Sequence, residues 1–204
     1  MTITIWFSLF FVCLLGAMSP GPSLAVVVKH TLAGGRQHGI VTSWAHACGV
    51  GCYAVMTLLG LAVVLKQSPQ VFTLITYLGA GYLAYLGINA LRSKGGIAAK
   101  LQAGKHSSLG EAARDGAMIS LLNPKLALFF IALFSQFVSV GNDWSAKATI
   151  VLTPLIVDGL WYTLIALVLS HANILDKLKS RAKIIDQLSG VVLILLALRV
   201  VITV

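Results

Sequence analysis

Residues 18–22 read Met-Ser-Pro-Gly-Pro. They stand late in an apolar run that covers about residues 3–28, long enough to cross a bilayer as one helix. Proline has no N–H to donate and glycine loosens the backbone, so a regular helix cannot pass through positions 20–22 unaltered. Whether this interruption is a defect or a device depends on the rest of the chain. The protein has 204 residues, of which 58% are hydrophobic and only 10% charged. Its mean hydropathy is +0.92. That composition is foreign to a water-soluble domain and usual for a polytopic membrane protein.

Six runs are long and apolar enough to span, at about 3–28, 40–65, 71–91, 116–140, 146–169 and 188–204. They are continuous and lack the period-2 alternation of a transmembrane barrel. The expectation is an all-α, six-helix transmembrane protein made of one domain, 1–204. The formal net charge of +9 is a topology signal. Lys29 and Arg36 follow the first run; Arg92, Lys94, Lys100, Lys105 and Arg114 follow the third; Lys177, Lys179, Arg181 and Lys183 follow the fifth. The alternate loops hold only Lys66 and Lys147. By the positive-inside rule the basic loops are cytoplasmic and both termini lie outside. Nucleic acid is therefore not an expected partner, and the lipid bilayer is. No Lys or Arg precedes Lys29, so the first run reads as a retained helix rather than a signal peptide.

The longest loop, about 92–115, is rich in Lys, Gly, Ser and Ala and separates halves of about 1–92 and 116–204. Each half holds three runs. Three is odd, so the second half enters the membrane from the opposite side, the arithmetic of an inverted repeat. Residues 178–187 interleave basic and apolar side chains, a pattern suited to the cytoplasmic interface.

A second interruption, Asn123-Pro124-Lys125, falls in the fourth run, and the fifth carries Asp158 with Pro154 one turn before it. Charges at membrane depth are costly and usually face a cavity or a partner. At about 1.5 Å per residue, Gly21 lies about 10 Å, Lys125 about 13 Å, Asp158 about 12 Å and His46 about 9 Å from the cytoplasmic side. One cavity can hold all four. Pro20, Gly21 and Pro22 would free backbone carbonyls for an ammonium group and N–H groups for a carboxylate. Asn123, after which Pro124 breaks the helix, offers both a donor and an acceptor. Lys125 can pair with a substrate carboxylate or with Asp158; Asp158 can bind an amino group or carry a proton. The bland alternatives are a simple kink at 20–22, Lys125 snorkelling to headgroups, and an Asp158 bonded to Trp161 or to backbone. His46 reads equally as a packing residue or as part of a pathway. Arg199 is expected to reach the outer interface.

These motifs resemble those of the LysE/RhtB superfamily of amino-acid exporters, in particular the homoserine/threonine exporter branch. The resemblance rests on Pro20-Gly21-Pro22, Gly35-Arg36 with Gly39, Leu78 through Gly87, Leu122-Asn123-Pro124-Lys125 and Asp158 with Trp161-Tyr162. It implies secondary, proton-motive-force-driven efflux of an amino acid or close derivative across the bacterial inner membrane. Threonine, homoserine, homoserine lactone, leucine-like and basic amino acids are the substrate classes it brings. No cofactor is expected, and a homo-oligomer stays open; the few thiol, imidazole and carboxylate ligands argue against a resident metal, and the lack of a Ser-His or paired-Asp constellation argues against catalysis. The candidate substrate or coupling residues are Pro20, Gly21, Pro22, Asn123, Pro124, Lys125 and Asp158, with His46 on a possible pathway.

Two other readings compete. A metal-cation exporter would want several carboxylates or thiolates facing one cavity. A thiol-based membrane redox protein would want paired cysteines on different helices, whereas Cys48 and Cys52 lie one turn apart on one run, with Cys13 elsewhere.

Overall fold

The computed structural model describes residues 1–93, 107–137, 143–169 and 180–203, and these are helical apart from short joints. Lys94, Lys100, Lys105, Lys177 and Lys179, and positions 138–140 of the fourth apolar run, lie outside the described residues. In chain order the helices are α1 (Ile3–Met18), α2 (Pro22–Gly34), α3 (Arg36–Gln67), α4 (Pro69–Leu91), α5 (Leu109–Leu121), α6 (Pro124–Phe134), α7 (Trp144–Leu169) and α8 (Ala182–Thr203). A single 3₁₀ turn, Ser135–Phe137, follows α6.

Proline sets the joints. Pro22, Pro69 and Pro124 each occupy the first turn of a helix, where a missing N–H costs nothing and a fixed φ helps. The first apolar run accordingly ends at Met18 and restarts at Pro22 with a bend of 62°. The fourth ends at Leu121 and restarts at Pro124 with a bend of 52°. Among the described residues, four single helices, α3, α4, α7 and α8, are long and apolar enough to cross a membrane, and the number rises to six if each bent pair is one span. The protein is a multi-pass membrane protein.

Several helices begin earlier than hydropathy suggests. The 32-residue α3 starts at Arg36 because Gly35, at φ 80°, reverses the chain in a single residue. Helix α5 starts at Leu109, seven residues before the apolar run, because Ser108 and Glu111 form a reciprocal capping box. Helix α8 starts at Ala182 and absorbs much of the stretch expected at the interface.

Helix α3 is the central element and packs against α5, α7, α2 and α6; α4 packs against α8 and α6, and α1 against α7. Small residues permit the closest crossings. A Cβ on Gly49 of α3 would lie 1.9 Å from the Ser120 hydroxyl of α5, and one on Gly190 of α8 would lie 2.6 Å from the Gly87 carbonyl of α4. The outer surface is apolar: Leu78, Leu122, Leu160, Leu195 and Ile202 are all exposed. A continuous apolar exterior of this kind is solvated by lipid.

The two halves share an order: a bent pair followed by two long helices. Their contacts correspond in part. With α1–α4 matched to α5–α8, the α1–α7 contact exchanges with α5–α3 and the α2–α7 contact with α6–α3, while α3–α7 and α4–α8 map onto themselves; the α2–α3 and α4–α6 contacts have no counterpart of like extent.

Candidate functional site

The two proline breaks face each other and are hydrogen-bonded together. Lys125, in the first turn of α6, extends its ammonium to the end of α1. Its Nζ donates to the Ser19 carbonyl at 2.9 Å, to the Ser19 hydroxyl at 2.8 Å and, at 3.4 Å, to the Pro20 carbonyl. These acceptors lie in the joint between α1 and α2, where no continuing helix serves the backbone carbonyls. Asn123 works in both directions. Its Oδ1 accepts from the Lys125 backbone N–H at 3.0 Å, capping α6, and its Nδ2 donates to the Ser23 hydroxyl of α2 at 3.2 Å.

From Ser23 the polar chain runs on into the core. Ser23 Oγ lies 2.8 Å from His46 Nε2, and His46 Nδ1 lies 2.7 Å from Asp158 Oδ2. His46 is fully buried and Asp158 is 5% exposed, so neither is a surface ion. With the acid ionised, Nδ1 carries the proton that donates to it. Ser23 then accepts from Asn123 and donates its own proton to Nε2. Every member of the chain is satisfied, as a buried network requires. Tyr162, one turn from Asp158, sets its ring edge-on to His46 at 5.3 Å between centroids.

These groups line one cavity of about 30 Å³ together with Gly21, Cys13, Gly16, Val50, Phe129 and Pro154. The cavity has room for about one or two waters. It is too small for an amino acid in this conformation. It contains one lysine ammonium and one carboxylic acid, the complement of a zwitterion.

Of the residues singled out from sequence, Gly21, Asn123, Lys125 and Asp158 come together, and His46 joins them. Pro20 supplies a carbonyl, while Pro22 and Pro124 act through backbone geometry. Of the partners open from sequence, the two charged residues take the following. Lys125 donates to Ser19 and to the Pro20 carbonyl, in the joint between α1 and α2, rather than to Asp158. Asp158 bonds to His46 rather than to Trp161 or backbone. Ser19 and Ser23 join the site with no signal in the sequence, because an intramembrane serine ordinarily bonds to the backbone of its own helix. Thr31, Thr42 and Ser43 do so here.

A second polar cluster closes the side facing the basic loops. Asp115 of α5 accepts from Lys29 Nζ at 3.1 Å and lies 3.1 Å from His30 Nε2, both on α2. His30 is 1% exposed and its Nδ1 lies 3.0 Å from the Ser107 hydroxyl. The Ser107 carbonyl is 2.9 Å from His38 Nε2 on α3. Arg199 of α8 is bonded to Ser8 of α1 and so ties two helices together. Cys48 and Cys52 are exposed and Cys13 is buried; all three are free thiols. Among the described residues no three His, Cys, Asp or Glu side chains converge as a metal site would need.

The chain is similar to membrane proteins of several bacteria. It is 27% identical over 186 residues to the uncharacterized membrane protein YrhP of Bacillus subtilis, covering 86% of this chain and 88% of that one. It is 28% identical over 180 residues to a threonine efflux protein of Escherichia coli K12, covering 85% of each. It is 31% identical over 125 residues to a leucine efflux protein of Salmonella typhimurium, covering 59% of this chain and 57% of the relative. No solved structure matches. The family model described as LysE type translocator matches residues 14–203, from just ahead of the first break to the end of α8. The chain therefore belongs to the LysE type translocator family.

Proposed function

We propose that this protein is a secondary exporter of small amino acids, threonine- or homoserine-like, or of a close derivative such as homoserine lactone, driven by the proton-motive force across the bacterial inner membrane. The observation that carries the reading is the meeting of the two breaks around a half-buried lysine, a buried acid and a histidine in one small cavity. The names of the threonine and leucine efflux relatives supply the direction and the substrate class.

In this reading each bent pair is one broken span. The six spans then form two inverted three-span halves, both termini lie outside, and the basic loops are cytoplasmic. The shared order of a bent pair and two long helices, with reciprocal α1–α7 and α5–α3 contacts, supports the repeat. Lys125 takes the substrate carboxylate after leaving the end of α1, and Asp158 takes the ammonium. Export proceeds by alternation at the acid: ammonium leaves Asp158 on the outer side, a proton replaces it, and the proton is released to the cytoplasm before the next substrate binds. His46 holds the carboxylate oriented and gives the proton a second resting place. Ser23 and Asn123 keep that imidazole aligned and link it to the break. The Asp115 cluster joins α2 to α5 and opens when the site faces the cytoplasm.

The test is efflux of radiolabelled threonine, homoserine and leucine from preloaded proteoliposomes, with and without an imposed proton gradient. Export that the gradient accelerates supports the reading. Retention of all three labels, in vesicles that hold the folded protein, refutes it.

A further inference from the structure

The cavity between the breaks is lined in two storeys. On α3, Val50 follows His46 by one turn, and on α6, Phe129 follows Lys125 by one turn. Helix α7 runs antiparallel to α3, as the opposed pairs Gly51–Leu155 and Gly159–Trp44 record, so there Pro154 precedes Asp158 by one turn. On α1, Cys13 and Gly16 precede Ser19. Residues one turn apart share a helix face. His46, Lys125, Asp158 and Ser19 therefore each have an apolar neighbour stacked on the side away from the basic loops.

Phe129 is the largest member of this apolar storey together with Phe130, and its ring is seated on glycine. A Cβ on Gly16 would come within 2.3 Å of the Phe129 Cζ. The ring tip thus rests against the α1 backbone and fills the gap between α1 and α6, packed edge-to-face on Phe130 at 5.9 Å. Nothing in this storey carries a charge.

We infer that the apolar storey is the side-chain subsite of the transporter, and that Phe129, seated on Gly16, sets the length of side chain it admits. This rests on the export reading above. The ammonium and carboxylate of the substrate use Asp158 and Lys125. A basic or acidic side chain would then meet only Cys13, Val50, Phe129 and Pro154, with no counter-charge to offset its desolvation. The substrates are neutral amino acids whose short side chains present a methyl or branched apolar end. An aromatic side chain would collide with the seated ring.

The experiment is initial efflux of labelled threonine, leucine, phenylalanine and lysine from proteoliposomes holding the full chain, as wild type, Phe129→Ala and Val50→Ala. The wild type should favour threonine and leucine. Phe129→Ala should raise the phenylalanine-to-threonine ratio by about tenfold or more, as expected when a pocket gains the space of several methylenes. Val50→Ala should move the same ratio in the same direction by less, and lysine should remain excluded throughout. Unchanged ratios in both variants, or a wild type that prefers lysine, would overturn the subsite while leaving amino-acid export standing. A wild type that moves none of the four overturns the export reading, and the subsite with it.

Discussion

Replacing Lys125 by methionine tests whether the lysine holds the two breaks together. The side chain keeps much of its length and loses its charge. Two donated bonds of good length disappear, to the Ser19 carbonyl and hydroxyl at 2.9 and 2.8 Å, and a longer one to Pro20 at 3.4 Å. Ser19 is only 4% exposed, so water does not readily replace the ammonium. Hydrogen bonds to charged groups contribute about 1.5–3 kcal/mol each, which puts the two good ones at about 3–6 kcal/mol. The half-buried ammonium no longer has to be desolvated in the variant, which offsets a part of that loss. A net destabilisation of about 2–4 kcal/mol remains, equivalent to about 4–16 °C in Tm for a chain of this size. The assay is thermal unfolding in one detergent, followed by tryptophan fluorescence, with Lys125→Arg alongside. Arginine keeps the charge but presents a planar fork in place of a compact ammonium, so it should restore only part of the loss. A methionine variant that melts within about 1 °C of the wild type would refute the reasoning, because the bonds would then contribute less than about 0.5 kcal/mol.

Other consequences concern the surrounding frame. Asp115→Asn leaves Lys29 and His30 without their carboxylate, so amide hydrogen exchange across Val27–Thr31 of α2 should accelerate while α7 is unchanged. Gly49→Val should lower yield and Tm, because its Cβ would fall 1.9 Å from the Ser120 hydroxyl; Gly60→Ala, with nothing within 4 Å, should be neutral or stabilising by about 0.5–1 kcal/mol. Maleimide applied to the non-reduced protein in detergent should add mass for Cys48 and Cys52 and spare Cys13 until unfolding, whereas a redox-active disulfide would leave fewer reactive thiols.

The breaks were legible because their cause is local: proline lacks an N–H wherever it stands, and Pro20, Pro22 and Pro124 each lie inside an apolar run. Depth arithmetic also brought Gly21, His46, Lys125 and Asp158 to one level, because helical rise is nearly constant. Pairing within that level was not legible. Lys125 reaches a carbonyl 106 positions away, and only the crossing of α1 and α6 decides that it meets Ser19 before it meets Asp158. Ser23 was hidden for a different reason. A serine in an apolar helix looks the same from sequence whether it bonds to its own backbone or bridges a histidine to an asparagine. The early start of α5 was written in Ser108-x-x-Glu111, a capping box that hydropathy passes over because Glu111, Arg114 and Asp115 are polar. The resemblance to LysE-type exporters rested on the same break residues that the structure brings face to face.

The measurement that bears most directly on the account is threonine efflux by wild type and Asp158→Asn at equal abundance in proteoliposomes, measured both as gradient-driven net export and as exchange of labelled for unlabelled substrate. If ammonium and proton alternate at this carboxylate, the variant loses both activities while remaining folded. An Asp158→Asn protein that exports at the wild-type rate would make the acid structural and would contradict the proposed coupling.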